Sequence, residues 1–389
     1  MSVSYQWVAC DLLTGTVLDD LPLLDGADAG SPVQVAQTLG RYESTNVVLP
    51  LVNAPTNWLR DTLPGGAQLV LLQQSFDVRG NLSGAPVPVW GGAVNTRTRD
   101  ESNTVALTLV TPDGYLDRRY TGDQSFTATD QNTIVSTLVE LAAAGPSGGI
   151  PIATTVVGAA GTVRDRAYAD QDDKTIYSAI ADLMGVQGGP EWYIGWQHLT
   201  APERYVPVLY VGSRIGQAAT PGLSPAATFE MPGPVTSFKL VEDYTDGKGA
   251  NAVMAYSSGQ GTARPQSPVQ SVVDPNRPTF EYRWTPSTSI LDVDTLTSWA
   301  TSALTGLEGG SNTIALSASA TDKGCPQLGV DWNLGDDIGF NIGGLDANGR
   351  DLVPSCPGGY EGTGRAIGWQ LELSNTPTVT PVLAAPPTF

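Results

Sequence analysis

The chain has 389 residues and carries 20 Lys and Arg against 39 Asp and Glu, a formal charge of −19. Ordinary nucleic-acid binding is disfavoured, because neutralising phosphates takes clustered Lys and Arg and there are only four Lys in all. The length allows two or three domains, no apolar run approaches the roughly 18 residues of a membrane span, and MSVSYQWVACDLL lacks the basic start and long apolar core of a signal peptide.

From Ser2 to about Tyr120 nearly everything reads as strand and turn, as 44 Gly and 29 Pro with abundant Thr, Val and Ser suggest. VQVAQTLG (33–40) and TNVVLPLV (45–52) flank a short polar connection, and AQLVLLQQSF (67–76) leads into the turn-rich DVRGNLSG. PVPVWGGAVNTRTR (86–99) precedes NTVALTLVT (103–111). These segments resemble successive antiparallel hairpins of a small barrel or sandwich, with Gly91 and Gly92 allowing a sharp bend or bulge at a corner.

Helices enter between 119 and 232. In TDQNTIVSTLVELAAAG (129–145), Ile134, Leu138 and Leu141 share a face with Val135 and Ala142, Asp130 can cap the start, and Gly145-Pro146 stops it. A second helix is expected in DDKTIYSAIADLMG (172–185), with Ile176, Ile180, Leu183 and Met184 at helical spacing behind the capping candidates Asp172 and Asp173.

That helix delivers the chain into GGPEWYIGW (188–196), where one carboxylate stands among aromatic and apolar side chains. A carboxyl held against an indole can be tuned into a catalytic acid, as in some glycosidases, so Glu191 is a candidate for glycan hydrolysis. Alternation places Trp192, Ile194 and Trp196 on one face of a strand and Glu191 on the other, and a helix in need of a sheet comes just before it. This context decides for packing.

The Pro-rich TPGLSPAATFEMPGPV (220–235) is a plausible boundary, giving segments 1–118, 119–232 and 233–389. The last segment holds strand-like VTSFKLVEDY and NAVMAYSS, a proline-containing loop, and a helix near 293–305 with a stripe of Leu296, Trp299, Ala300, Ala303 and Leu304. SNTIALSASA, LGDDIGFNIGG and RAIGWQLELS return to β structure before the proline-rich PTVTPVLAAPPTF.

The chemistry-bearing residues are sparse. His198 is the single histidine, so HExxH and two-histidine sites are impossible within one chain, and no GxSxG elbow accompanies it. Cys10, Cys325 and Cys356 are too scattered for a zinc motif; Cys325 and Cys356, each followed by proline, could pair in an oxidising setting if their separation allowed. Asp172-Asp173, Asp336-Asp337 and Asp346 with Asp351 stand where turns and helix starts favour aspartate. LDANGRD (345–351) lacks the ligand series and closing Glu of a calcium loop and reads as a hairpin turn. No catalytic, cofactor or metal site is expected.

At WGGAVNTRTRDESNTVALTLVTPDGYLDRRY (90–120) the sequence resembles the first barrel domain of minor tail proteins from long-tailed phages of actinobacteria, the tail hub family. The Trp-Gly-Gly-x-Val strand, the strand after it and the closing Tyr115-Leu116-Asp117-Arg118-Arg119 carry the likeness. ACDLLTGTVLDDLPL, DDKTIYSAIADLMGVQGGPEWYI, and LGDDIGF paired with GRAIGWQLEL match in character.

The resemblance implies a β-rich α+β, multidomain chain, with two β-barrel or sandwich-like domains (1–118 and 233–389, the latter with an inserted helix) flanking an α/β middle region (119–232). It implies a structural virion protein rather than an enzyme: a homotrimeric hub at the tail tip, joining the six-fold tail tube to a three-fold tip. Its implied partners are distal tail and tail-tube proteins, the tape measure protein and receptor-binding or other tip proteins. Phage DNA would pass through the channel without specific binding, an acidic wall acting as a non-stick surface. Arg118 and Arg119, which close the first barrel motif, are the candidates for interface or inter-domain pairing.

Overall fold

In the computed structural model, residues 2–384 are described apart from 28, 29, 78, 80, 187, 221, 222, 260, 262, 263, 287, 289 and 291. The end of the proline-rich tail and parts of the turns expected at 77–84 and 220–235 therefore lie outside the described residues.

The first third supplies β1 (Ser2–Asp11), β2 (Val17–Leu21), β3 (Asp25–Gly26), β4 (Val33–Thr38), β5 (Ser44–Pro50), β6 (Ala67–Phe76), β7 (Val87–Arg99) and β8 (Thr104–Val110), with one helical turn, α1 (Trp58–Asp61), before β6. All except β4 form one sheet in the order β2-β1-β6-β7-β8-β5-β3. The run from β6 to β8 is the expected pair of hairpins. In β6 every residue from Ala67 to Gln73 is buried, as befits a central strand covered on both faces.

Two expectations fail here. β4 and β5 do not form a hairpin with one another: β5 pairs with β8 along its length and with β3 at Val47 and Val48, while β4 pairs antiparallel with a strand more than 300 residues later, Val35 opposite Leu371. Gly91 and Gly92 lie within the uninterrupted β7, and the bulge falls beside them, where Leu71 and Leu72 oppose Trp90 and Pro88. What Gly91 provides is room: a Cβ there would stand 2.3 Å from the Trp196 indole.

Next come α2 (Asp113–Leu116), β9 (Gln124–Asp130), α3 (Gln131–Ala142), β10 (Ala153–Val157), β11 (Val163–Tyr168), α4 (Ile176–Met184), β12 (Glu191–Thr200) and β13 (Glu203–Gly212). Asp130 caps α3 as expected, its carboxylate accepting from the Asn132 amide at 2.7 Å. α4 is capped by Thr175, not by the Asp172-Asp173 pair: Thr175 Oγ1 accepts from the Ser178 amide at 3.1 Å. Asp170–Asp172 form a separate 3₁₀ turn that ends with Asp173 in the left-handed region. β12 pairs with β13 antiparallel and β10 pairs with β13 parallel. Ile134 and Leu138 of α3 and Ile176, Ile180 and Leu183 of α4 share one core with Trp192, Ile194, Leu209 and Val211. The helix stripes therefore cover Trp192 and Ile194 of the face assigned to them, whereas Trp196, expected on the same face, packs elsewhere.

The rest of the chain forms β14 (Thr228–Met231), β15 (Val235–Asp243), β16 (Ala252–Ala255), β17 (Gln270–Ser271), β18 (Glu281–Trp284), α5 (Val293–Leu307), β19 (Ser311–Ser319), β20 (Asp337–Ile342), β21 (Tyr360–Leu373) and β22 (Thr378–Leu383). A second large sheet runs β14-β20-β21-β22-β19-β15, with β4 also on β21. Residues up to Ser237 together with Leu316–Leu383 make one compact unit, and Phe238–Ala315 belong to another. Within the second unit, Leu296, Ala300, Ala303 and Leu307 of α5 pack on Val253 and Ala255 of β16. Trp299, expected in that stripe, is instead 45% exposed and meets Trp284 edge-on at 6.1 Å, because its position falls on the flank of the helix. The β-rich, multi-sheet architecture with few helices is the one expected from the sequence.

Candidate functional site

The alternation of β12 sends Trp192 and Ile194 into the helix-covered core and leaves Glu191, at the strand's first position, on the opposite side. Trp196 leaves that core to pack against the cluster of Val8, Cys10, Val70, Leu72 and Tyr205. Glu191 meets the guanidinium of Arg365 from β21 in a two-pronged pair, with Oε1 to Nη1 at 2.6 Å and Oε2 to Nη2 at 2.5 Å. Oε2 also accepts from the Ile215 amide at 2.7 Å. Arg365 in turn donates to the carbonyls of Ile215 at 2.9 Å and Gly335 at 3.1 Å. Its hydrogen bonds with Glu191 push the guanidinium above its ordinary pKa. Both Glu191 oxygens are thus occupied as acceptors. This is a structural clamp, and the environment differs from the apolar pocket that makes a proton donor.

The clamp continues into the Asp336-Asp337 pair. Asp336 accepts from the Gln217 amide at 2.5 Å and the Asn333 amide at 2.8 Å. Asp337 binds Arg214 at 2.7 Å and accepts from the Ala219 amide at 2.8 Å. The two carboxylates therefore hold the backbone of the segment after β13 against the start of β20. Gly216 and Gly335 let these two segments touch back to back; both have positive φ, and a Cβ on Gly216 would lie 2.1 Å from the Gly335 carbonyl carbon. Beside the clamp is a cavity of about 460 Å³. Its walls include Tyr193 and Tyr210, stacked at 5.0 Å, with Trp196, Trp369 and Asp336.

Comparison with family models gives no match, and comparison with curated proteins gives none. Comparison with solved structures does. A tail protein from Neisseria meningitidis MC58 aligns over 98% of this chain and 96% of its own, with TM-score 0.50 and 13% identity. The chain shares the fold of that tail protein. A chain of the Francisella PdpA-VgrG complex in its half-lidded form aligns over 98% of this chain and 57% of its own, with TM-score 0.51 and 8% identity. At these identities the likeness concerns the path of the backbone, and the side-chain clamp has to be read from its own geometry.

The other sequence candidates are scattered over this tail-protein fold. His198, near the end of strand β12, stacks on Tyr205 at 4.6 Å and pairs with Glu203 at 3.2 Å, with no nucleophile among these partners. Asp346 accepts from the Asn348 and Arg350 amides, each at 2.8 Å, which makes LDANGRD a self-bonded turn; Asp351 accepts separately from the Gly358 amide. Cys10, Cys325 and Cys356 are buried free thiols, so the Cys325–Cys356 pairing is not formed; burial pushes the Cys10 and Cys325 thiols up to about 12. Among the described residues no cluster of three or more His, Cys, Asp or Glu is placed to hold a metal.

Arg118 is exposed, whereas Arg119 is half-buried, donates to the Ala144 carbonyl at the end of α3, and lies over the Tyr115 ring. Both border a cleft of about 340 Å³ with Tyr115 and Ile150. Sequence reasoning missed three groups: Arg365, Arg214 and Asp113. Arg365 and Glu191 are 174 residues apart, and no local pattern marks a partner at that distance. Asp113, only 2% exposed, has its carboxyl pushed up to about 7, first by burial. A lone aspartate after proline reads in sequence as a turn residue.

Proposed function

We propose that the chain is a structural component of a phage tail tip, a homotrimeric hub that joins the six-fold tail tube to a three-fold tip. The supporting observation is the end-to-end match to a tail protein, 98% of this chain against 96% of that one. In this reading 1–118 and 233–389 are the barrel-like modules, 119–232 lies between them, and Arg118 and Arg119 serve at contacts between modules or subunits. The trimer encloses the passage for the tape measure protein and DNA of a long-tailed actinobacterial phage, and the charge of −19 keeps the polyanion from adhering. Distal tail, tail-tube and receptor-binding proteins are its neighbours. The chain performs no catalysis, a reading supported by the Glu191 carboxylate being held at both oxygens by Arg365 and Ile215.

The test is a mass measurement by light scattering on the chain co-assembled with its neighbouring tail proteins. Copies in multiples of three are expected, and a stable two-fold or four-fold assembly overturns the hub. Hydrolysis of host cell-wall glycans, lost in Glu191→Gln with folding intact, would overturn the non-enzymatic reading.

A further inference from the structure

β1 is paired with β6 without irregularity from Ser2 to Asp11, but β2 covers its other edge only from Trp7 onward. After Leu21 the chain turns away, and Asp25–Gly26 pair with β5 instead. The side to which each backbone group of β1 points follows from Asp11. Its N–H donates to the Thr16 carbonyl at 2.9 Å and its carbonyl accepts from Gly15 at 2.8 Å, so Asp11 faces the β2 side. In a regular strand alternate residues face the same side, which places the N–H and C=O of Tyr5 and Val3 on the uncovered edge. No strand ladder among the described residues uses them.

This edge forms one wall of a cleft of about 580 Å³. Leu23 and Leu24 stand on one flank, and Leu373 and Pro377, at the β21–β22 hairpin, on another. Leu23 is 73% exposed, a large apolar side chain held in water beside unpaired backbone. Among the described residues lining the cleft, Asp25 is the one charged side chain, on a chain whose overall charge is already −19.

We propose that this cleft is a strand-addition site: it binds an extended polypeptide segment, uncharged or basic, from a different protein chain. The four backbone groups of Val3 and Tyr5 supply sequence-independent hydrogen bonds, and the leucine flanks take alternate side chains of the guest. Asp25 selects against acidic guests, and so against another copy of this anionic chain. An open edge of this kind is a liability unless something covers it. The site rests on the sheet geometry; only the expectation that its guest in the virion is a neighbouring tail protein rests on the proposed function.

The experiment uses the full chain and an acetylated, amidated hexapeptide of alternating valine and lysine, with a valine–glutamate version as control. Amide exchange of Val3 and Tyr5 is read at increasing peptide concentration. The valine–lysine peptide should slow exchange at both amides at least tenfold, and the glutamate version should bind at least tenfold more weakly. Val3→Pro removes one outward N–H without touching the β6 ladder and should abolish the protection; Asp25→Lys should reverse the charge preference while leaving the fold alone. Unchanged exchange at millimolar peptide, equal binding of the two peptides, or protection that grows with protein concentration in the absence of peptide each overturns the proposal. A chain found outside the tail tip would sink the functional reading and leave this peptide result standing.

Discussion

Two carboxyl groups beside the same strand are treated in opposite ways. At the start of β12, Glu191 is about 20% exposed and is gripped by Arg365 and the Ile215 amide. Along the strand, beside the Ile194 backbone, Asp113 is 2% exposed and among the described residues no cation offsets its burial; the Thr111 hydroxyl and nearby amides only partly offset its desolvation, and Glu43 adds repulsion. One carboxylate fastens distant segments because a cation came with it. The other is buried by the apolar packing around α2 and α4, and its charge becomes a cost. Apolar burial thus fixes where the chain lies, and a buried charge helps only where a partner is delivered to it.

The packing side should dominate. Trp192 is fully buried between α4 and β12, edge-on to Tyr177 at 5.9 Å. Trp192→Ala should destabilise the chain by about 3–5 kcal/mol in denaturant unfolding, the usual cost of emptying an aromatic site in a core. A loss below about 1 kcal/mol would mean that the helices do not depend on this face of the strand.

Next comes the pH response of Asp113. Its folded pKa, about 7, lies above its ordinary value of 3.8. Below 3.8 the carboxyl is protonated in both states and carries no penalty. As pH rises toward 7 the unfolded chain releases the proton while the folded chain retains it, so stability falls; above 7 both are ionised and the curve flattens. The total is on the order of 4 kcal/mol at about 1.36 kcal/mol per unit. Asp113→Asn should flatten the stability profile between pH 4 and 7 and raise stability at pH 8. An unchanged profile would place the titration elsewhere.

The clamp should matter less, because it is partly hydrated. Arg365→Ala should cost about 2–3 kcal/mol, as expected for removing hydrogen bonds to a charged group. The Ile215 and Gln217 amides should exchange faster as the segment after β13 loosens. Arg365→Lys should recover only part of this, since an ammonium cannot reproduce the two-pronged pair or reach the Gly335 carbonyl at the same time. Full recovery would show that charge, rather than the planar fork, holds the segment.

These differences track what could be read in advance. The face carrying Trp192 and Ile194 was legible because alternation in β12 and helical spacing in α3 and α4 are local signals, and Asp130 announced its cap directly. Thr175 displaced Asp172 and Asp173 as the cap because the aspartates belong to a separate 3₁₀ turn and its left-handed end, leaving Thr175 directly before Ile176. The clamp was illegible: Glu191 meets Arg365 only after β20 and β21 have been placed, and β4 finds its partner in β21, more than 300 residues away. Long-range pairing depends on which edges remain open, and that is a property of the whole sheet.

The smallest effect expected is at His198. Its ring lies nearly parallel to Tyr205, 4.6 Å away at 15°, while its pairing with Glu203 is at the surface, with Glu203 58% exposed. Solvent screens such a pair, so Glu203→Gln should change stability by less than about 1 kcal/mol, with little salt dependence. The stacking covers apolar area over Tyr205 and should matter more than the charge. His198→Phe keeps a flat ring in place and should be nearly neutral, whereas His198→Ala exposes the Tyr205 face and should cost about 1 kcal/mol. If His198→Phe were as damaging as His198→Ala, the imidazole nitrogen rather than the ring face would be holding the end of β12. Pairing would then outweigh packing at the far end of this strand.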